Sequence, residues 1–305
     1  MAVRAVLVVA LWLLACCMPV QAGQVYRWKD AEGVTHYGDQ LPPGTSAERL
    51  VIPATEDPPP VAALRVEDTG RGLFVWADNR LAGPIEVMLH FEHHDNVHSD
   101  PALPARATVA ASASGLVAVL SAADPGRPFK FQLRIDSLPG HPSASPRDVQ
   151  YRMPVAGDAR VEQGFGGGFS HQDPENRYAV DFAVPSGTTV LAARAGVVMQ
   201  AEAGFEHGGL DRAALAGRAN FVRVLHDDGT MALYAHLQPG GVLVRVGQHV
   251  EVGQPLGLSG ATGFASGPHL HFAVQVNRGM RLVSLPFRME HLPDAGEATG
   301  SAPNR

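Results

Sequence analysis

Short strand-like runs separated by glycine-rich turns fill the chain from Ala159 to about residue 290. No stretch there keeps apolar residues three or four positions apart for the several turns that a long amphipathic helix requires. Apolar and polar residues that alternate over a few positions, bounded by glycine, are instead typical of half-buried strands. The sequence therefore predicts an almost all-β, antiparallel domain over residues 156–290.

The preceding region, residues 62–155, has the same strand-like character. Apolar and β-branched runs occur at 73–76 (LFVW), 85–89 (IEVML) and 129–133 (FKFQL), with Gly, Pro, Asn and Asp between them. We expect a β-sandwich-like domain here. The fold class of the whole chain is then mainly β.

The composition is that of an ordinary globular protein. The 305 residues suffice for about two domains, and 45% of them are hydrophobic while 18% are charged. The formal net charge is -6, with no block of like charges and no basic face. We therefore expect no nucleic-acid partner.

The N-terminus has the order of a secretory signal peptide. Arg4 precedes an apolar run at residues 5–15 and the tripeptide VQA at 20–22. We expect residues 1–22 to be removed and the protein to be exported to the periplasm. The apolar run is too short for a permanent membrane span, and no later segment approaches about 18 consecutive apolar residues, so the mature chain should lack a transmembrane segment.

Both cysteines of the chain, Cys16 and Cys17, lie in this leader. Cleavage after residue 22 would leave a mature protein without thiols or disulfides. A less favoured alternative is a lipoprotein signal, because the segment LLAC at 13–16 resembles a lipobox that would leave a lipid anchor on Cys16.

A small β module follows the leader, at residues 23–51. The runs VYRW at 25–28 and VTHY at 34–37 flank the turn DAEG, which predicts a β-hairpin. The module resembles the short N-terminal domain of unknown function found on many exported bacterial proteins. A proline-rich linker at 52–61 separates it from the sandwich, and a polar, disordered tail is expected at 291–305.

Two histidines stand on one predicted strand, in the segment SGPHLHF at 266–272. Residues two apart in a strand point to the same face, so His269 and His271 are presented side by side while Leu270 and Phe272 pack behind them. Two imidazoles in this alternation, after a Gly-Pro turn, are hard to explain as core packing. The pattern favours a functional pair.

A third histidine ends a predicted hairpin. The strands at 221–226 and 231–237 are joined by the turn DDG, and His236 stands at the exit of the second strand. Strand ends beside a groove hold catalytic groups rigidly while leaving them accessible. His226, beside the turn, is instead expected to have a structural hydrogen-bonding role.

An acidic residue is embedded in the predicted strand YAVDFAVP at 178–185. Alternation places Asp181 on the face opposite Val180 and Phe182. A carboxylate flanked in this way needs a metal ion or an ionic partner.

Together these segments resemble the lysostaphin/LytM-type zinc metalloendopeptidases of peptidoglycan, over roughly residues 164–276. The resemblance implies a compact sheet with a surface groove, a zinc ion bound by Asp181 and His271, and catalytic roles for His236 and His269. It rests on four segments: AVDFAVPSGTTVLAARAGVV at 179–198, YAHL at 234–237, VRVGQHVEVGQPLGLSGATG at 244–263 and SGPHLHF at 266–272.

The chain departs from the family pattern at the first metal ligand. That ligand is usually a histidine four residues before the aspartate, but Arg177 occupies the position and stays protonated. The nearest upstream candidate is His171, at the end of the loop GGFSH at 167–171. We expect His171 to be the third zinc ligand, the alternative being an ordinary loop histidine.

The implied site is an open catalytic zinc site, in which three protein ligands leave a fourth position for water. Zinc lowers the pKa of that water, and the two other histidines can accept its proton or stabilise an oxyanion. The predicted function is hydrolysis of cross-links between peptidoglycan stem peptides. The alternative is a non-catalytic LytM-like module that activates a separate wall hydrolase as its partner.

A second group of histidines lies in the predicted sandwich. Their neighbours complete no recognisable ligand spacing, so a solvated strand end and loop are favoured over a metal site. Whether the sandwich positions substrate or covers the groove as an inhibitory prodomain is open. The residues of this group are His90, His93, His94 and His98.

Overall fold

The protein was examined as a computed structural model that describes residues 24–29, 35–38, 48–51 and 60–290. The predicted signal peptide, nearly all of the predicted linker and the predicted tail lie outside these residues. The chain forms two compact units, Met1–Asp57 and Pro58–Arg305. No helix in the described part of the chain is long and apolar enough to cross a membrane.

The first unit contains a three-stranded antiparallel sheet in the order β2-β1-β3. The pairing of β1 with β2 is the hairpin that the aromatic and β-branched runs predict. β3 pairs with the other edge of β1 and was not predicted, because its sequence ERLV is too short to show a periodicity. The strands are β1 (Gln24–Lys29), β2 (Thr35–Gly38) and β3 (Glu48–Val51).

Two antiparallel sheets follow, and their buried side chains share one core. Val75 and Leu120 enter this core from the first sheet, and Val87 and Leu89 enter it from the second. The strand orders are β4-β5-β9-β7 and β10-β6-β8. The strands are β4 (Ala62–Asp68), β5 (Leu73–Asn79), β6 (Ile85–Asp95), β7 (Val97–Asp100), β8 (Ala105–Val109), β9 (Ser114–Ala122) and β10 (Lys130–Pro139). We call this part the sandwich.

The rest of the described chain forms one large antiparallel sheet, two separate parallel pairs of short strands and a single four-residue helix, α1 (Arg212–Leu215). The strands are β11 (Gln150–Tyr151), β12 (Arg160–Gln163), β13 (Val180–Ala183), β14 (Thr189–Leu191), β15 (Gly196–Glu202), β16 (Gly208–Gly209), β17 (Asn220–Leu225), β18 (Met231–Val242), β19 (His249–Val250), β20 (Pro255–Ser259), β21 (Gly263–Phe264), β22 (His269–Asn277), β23 (Leu282–Leu285) and β24 (Arg288–Met289).

The large sheet has the order β12-β13-β22-β18-β17-β15-β19. In addition, β20 pairs with β14 and β18, and β23 pairs with β22. β22 lies between β13 and β18, so all nine of its residues are buried. Asp181 of β13 pairs with His271 of β22, which in turn pairs with Ala235 of β18. Paired residues on neighbouring strands point to the same face. The sheet register therefore brings Asp181 and His271 together, although they are far apart in the sequence.

The sandwich packs directly against the large sheet. Met199 of β15 and Met231 of β18 are fully buried within the sandwich core. The buried carboxylate of Glu86 accepts hydrogen bonds from Nδ2 of Asn277 (2.9 Å) and from the backbone N–H of Met280 (2.7 Å). The two parts thus share apolar and polar contacts within one compact unit.

Candidate metal centre and active site

Three side chains converge at the edge of β13 and β22. The potential ligand atoms of His171, Asp181 and His271 all lie within 4.8 Å of one another. Oδ1 of Asp181 is 2.8 Å from Nδ1 of His271 and 3.2 Å from Nε2 of His171. All three residues are buried, and no other such group of three is found among the described residues.

His171 reaches the sheet from the loop between β12 and β13. The loop folds back on itself, because the N–H of Gly166 donates to the carbonyl of Arg177 (2.7 Å) and that of His171 donates to the carbonyl of Gly167 (3.1 Å). Gly166 has a φ of 67°, a left-handed conformation that glycine adopts without steric cost. The His171 side chain is fully buried, whereas Arg177 is exposed.

The outer ring nitrogen of each imidazole in this group is held by an oxygen. Nδ1 of His171 donates to the carbonyl of Gly164 at 2.9 Å, and Nε2 of His271 donates to Oδ1 of Asn176 at 3.0 Å. The Asn176 amide is oriented because its Nδ2 donates to Asp173 at 2.9 Å. The inner nitrogens therefore face the Asp181 carboxylate, and a cation bound between these groups would take up their lone pairs. Such a donor set fits a divalent cation, since metal-binding histidines usually donate their other N–H to a protein oxygen.

The charges in this group stabilise one another. Burial alone would raise the pKa of Asp181, but hydrogen bonds from His171 and His271 outweigh it and hold that pKa well below its usual range. Burial alone would lower the pKa of His171, but the hydrogen bond and charge of Asp181 outweigh burial and raise it. Oδ2 of Asp181 also accepts a hydrogen bond from Nε2 of Gln163 at 3.0 Å. The carboxylate is thus anionic and fixed on both oxygens.

A second pair of imidazoles, His236 and His269, lies beside this group. Nδ1 of His236 donates to the carbonyl of Thr262 (2.7 Å), and Nδ1 of His269 donates to that of Gly267 (2.9 Å). The two ring centroids are 4.6 Å apart, and Nε2 of His269 is 3.9 Å from Oδ1 of Asp181. Each Nε2 is therefore an open acceptor next to the three converging side chains.

The sequence predicted that His236 stands at the end of its strand. This prediction is wrong, because β18 continues to Val242. Ala235 and Leu237 pair with two adjacent residues of β17, which leaves His236 as the extra residue of a β-bulge. Its φ of 63° is in the left-handed region that non-glycine residues rarely adopt. The bulge aims the imidazole away from the regular alternation of the strand. Burial, together with His269 and His271, lowers the pKa of His236 to about 3, so this ring stays neutral.

A segment containing four of these residues matches a known family. Residues 175–282 match the model of Peptidase family M23, and residues 10–65 match a domain of unknown function, DUF4124. The chain carries a peptidase M23 domain. The matched M23 segment includes Asp181, His236, His269 and His271, whereas His171 lies upstream of it.

Individual relatives align with the same region. An uncharacterized metalloprotease of Buchnera aphidicola is 32% identical over 99 residues, which are 32% of this chain and 23% of the relative. The peptidoglycan DD-endopeptidase ShyA of Vibrio cholerae is 41% identical over 96 residues, 32% of this chain and 19% of the relative. The chain therefore spans only about a fifth to a quarter of these relatives' length.

Among solved structures, the catalytic domain of the antimicrobial peptidase lysostaphin from Staphylococcus simulans is 29% identical. The match covers 39% of this chain and 78% of that domain, with a TM-score of 0.29.

A cleft of about 480 Å³ opens over the histidines of the M23 domain. On its rim the rings of Phe169 and Phe264 stack at a centroid distance of 5.4 Å, and the guanidinium of Arg212 lies 5.5 Å from the Phe264 ring. The floor is the outer face of β17, β18 and β22. Every residue that lines the cleft lies between 162 and 275, so no described residue of the sandwich contributes to it.

The other histidines singled out from the sequence lie outside the cleft of the M23 domain. Nδ1 of His226 donates to the carbonyl of Ala195 at 2.8 Å, which is the structural role expected for it. Burial lowers the pKa of His226 to about 4. In the sandwich, Nε2 of His90 lies 3.0 Å from a carboxylate oxygen of Asp136. The other three histidines of that group are exposed: His93, His94 and His98.

Sequence reasoning missed two side chains that support the site, Gln163 and Asn176. Neither has a distinctive local pattern, because each stands in a loop or at a strand end. Asn176 could be suspected only from its position in DPEN at 173–176, where asparagine and aspartate commonly bond to each other's backbone. Their contacts with Asp181 and His271 depend on the folded loop.

Proposed function

We propose that this protein is an exported, zinc-dependent endopeptidase that hydrolyses peptide cross-links of bacterial peptidoglycan. The observation that carries the proposal is the convergence of His171, Asp181 and His271, with the outer nitrogens of both imidazoles already held by oxygens. The match to Peptidase family M23 and the alignment with a peptidoglycan DD-endopeptidase support the reaction class and the substrate.

In this proposal His171 Nε2, Asp181 Oδ1 and His271 Nδ1 hold the zinc ion. Two imidazoles and one carboxylate are a common ligand set of catalytic zinc sites. Zinc bound there would polarise a peptide carbonyl and lower the pKa of a water molecule. Gln163 and Asn176 would fix the orientations of the carboxylate and of one imidazole, and would thereby limit the geometries that the ligands can adopt.

His236 and His269 would carry the proton transfers. The His236 ring is neutral and its Nδ1–H is committed to Thr262, so its open Nε2 would be the atom that accepts a proton from the attacking water. His269 Nε2 points to the same region and, when protonated, can stabilise the oxygen of the tetrahedral intermediate. Both rings are fixed by backbone carbonyls and so need little reorganisation.

We also propose the layout that the sequence suggests around the active site. It consists of a signal peptide at 1–22, a small β module at 23–51, a linker at 52–61, the sandwich at 62–155, the peptidase domain at 156–290 and a tail at 291–305. In this layout the leader would direct export, and the proposed peptidoglycan substrate, which lies outside the cytoplasm, supports a periplasmic location.

The test is zinc content and muropeptide release by the purified mature chain, beside His171→Ala and His271→Ala. The matched control is His98→Ala, which removes an exposed histidine of the sandwich. We expect about one zinc ion per chain in the wild type and control, and loss of both zinc and cleavage in the two site variants. A wild type that binds no zinc and releases nothing when zinc is supplied would instead favour an activator of a separate wall hydrolase.

A further inference from the structure

The floor of the cleft carries a second row of side chains next to the proposed metal centre. The first row contains His271, Ala235 and Phe221, which pair across β22, β18 and β17. The next row, two residues further along each strand, contains Ala273, Leu233 and Arg223. Cross-strand partners point to one face, so Arg223 brings a positive charge to the same floor.

The guanidinium of Arg223 has only neutral hydrogen-bond partners. Arg223 is 9% exposed. Its Nη1 donates to Oε1 of Gln200 at 3.1 Å, its Nη2 donates to Oε1 of Gln275 at 3.3 Å, and its Nε has no partner among the described residues. The charge of Glu175 acts on Arg223, but no hydrogen bond joins them. Glu175 balances part of this charge, but the guanidinium lacks the hydrogen-bonded carboxylate with which such groups pair best.

On β17 the open floor ends at Arg223, whereas Gln275 of β22 still lines the cleft. In the third row, Leu225 and Met231 pack against the sandwich, so the sheet face beyond Arg223 is covered. Gln275 belongs to this row as well, and its Nε2 donates to the carbonyl of Glu175 at 2.9 Å. A peptide lying along the floor would therefore meet Arg223 where the accessible surface stops.

The sheet geometry sets the distance between Arg223 and the metal centre. Arg223 lies two strands from His271 and two residues further along, which places their Cα atoms about 12 Å apart for ordinary strand spacing and rise. An extended peptide spans about 3.3–3.6 Å per residue. When the length of the arginine side chain is included, a substrate group bound to Arg223 would lie about two or three residues from the peptide bond at the metal centre.

We propose that Arg223 binds a free carboxylate of the peptide substrate, about two or three residues from the bond that is cut. This inference rests on the proposed peptidase function and adds a specificity determinant to it. The remaining N–H groups of the two terminal nitrogens can form a bidentate pair with the carboxylate, while the amides of Gln200 and Gln275 hold the guanidinium plane in place. Substrates that carry an amide at this position would lose the charge pairing.

The experiment compares two substrates with the full, zinc-loaded protein. One is a set of muropeptide dimers with their free carboxylates, and the other is the same set after carbodiimide and ammonia have converted those carboxylates to primary amides. Cleavage is followed by chromatography, and binding of the uncut dimers is measured by calorimetry. The variants are Arg223→Gln and, as a matched loss of one positive charge from an exposed site on the same sheet, Arg160→Gln.

For the wild type and Arg160→Gln, we expect amidation to raise KM by about 10- to 100-fold, with a smaller change in kcat. On the unmodified dimers, Arg223→Gln should have a KM as high as that of the wild type on the amidated dimers. Amidation should not raise the KM of this variant further. Comparison of the two substrates on the wild type alone also tests the inference if Arg223→Gln fails to fold.

The other outcomes separate this inference from the proposed function. Cleavage of both substrates by the wild type with equal KM, or full retention of discrimination by Arg223→Gln, would overturn the role of Arg223 and leave the peptidase. Carboxylate-dependent binding without any cleavage would overturn the peptidase and leave the role of Arg223. If the protein showed no binding preference for the carboxylate form and no cleavage, both the role of Arg223 and the peptidase function would be overturned.

Discussion

At the scale of single residues, the four histidines at the cleft share one arrangement: an outer nitrogen donates to an oxygen, and the other nitrogen faces inward. Three of the acceptors are backbone carbonyls, and the fourth is the side chain of Asn176. A backbone acceptor cannot be removed by substitution, so Asn176 is the place where the effect of this orientation can be measured.

Asn176→Leu removes the acceptor that orients His271. We expect zinc affinity to fall by about 10- to 100-fold, because the imidazole loses the partner that fixes its tautomer. Competition with a chromophoric chelator measures the affinity. Gln132→Leu, which removes an exposed amide of the sandwich, is the control. Equal zinc affinity in the wild type and Asn176→Leu would show that this contact does not orient the ligand.

A second residue-scale prediction concerns His226, whose folded pKa is lowered from 6.5 to about 4 by burial. As pH falls through this interval, the unfolded chain takes up a proton that the folded chain refuses. Stability from the neutral ring is therefore complete above 6.5 and lost progressively down to about 4. The expected loss in the free energy of unfolding is about 3 kcal/mol at most.

Urea unfolding between pH 7 and pH 4, with EDTA present so that metal release does not contribute, measures the effect of His226. His226→Gln should show a smaller decrease in stability across this interval than the wild type. His98→Gln, a change at an exposed histidine, should follow the wild type. If all three proteins lost stability in parallel, His226 would not be the titrating group.

At the scale of elements, the bulge in β18 allows the backbone conformation of His236 to be tested separately from the chemistry of its imidazole. The sequence YAHL continues a regular alternation and predicts an unbroken strand up to His236. Leu237 pairs with Asn220 of β17 and with Ser259 of β20, while Ala235 pairs with Phe221 of β17, so His236 is the extra residue between these pairings. Asparagine tolerates a positive φ better than β-branched residues do.

His236→Asn should therefore abolish cleavage with little effect on the free energy of unfolding. His236→Val should abolish cleavage and also destabilise the protein by about 1–2 kcal/mol relative to the asparagine variant. Urea unfolding of both variants measures this difference. Equal stability of the two would mean that the positive φ is relieved on substitution, and retained cleavage in either would remove His236 from the proposed mechanism.

At the scale of the whole molecule, the sandwich and the M23 domain share a buried interface. The sandwich does not line the cleft within the described residues, so those contacts give no support to a prodomain that fills the groove. The sandwich instead covers Met199 and Met231 and supplies Glu86 to Asn277. These contacts favour a supporting role in which both parts unfold together.

Glu86→Ala removes the acceptor of two hydrogen bonds, one from Nδ2 of Asn277 and one from the backbone N–H of Met280. We expect it to lower the free energy of unfolding by about 2 kcal/mol or more, in a single transition, while zinc content stays that of the wild type. Glu86→Gln, which keeps one acceptor oxygen, should lose less. Thermal unfolding followed by calorimetry measures both. Two separate transitions, only one of which responded to the substitution, would contradict the shared unfolding.

The sequence alone determined the mainly β class and the strands that carry Asp181, His236, His269 and His271, because alternation is a local property with a period of two. It also placed His269 and His271 on one face and Asp181 in a strand. Four features required the tertiary structure: the reach of His171 to the sheet, its support by the loop, the bulge at His236 and the position of Arg223 at the covered end of the cleft. Each depends on register and loop closure between segments distant in the chain, which local patterns do not encode.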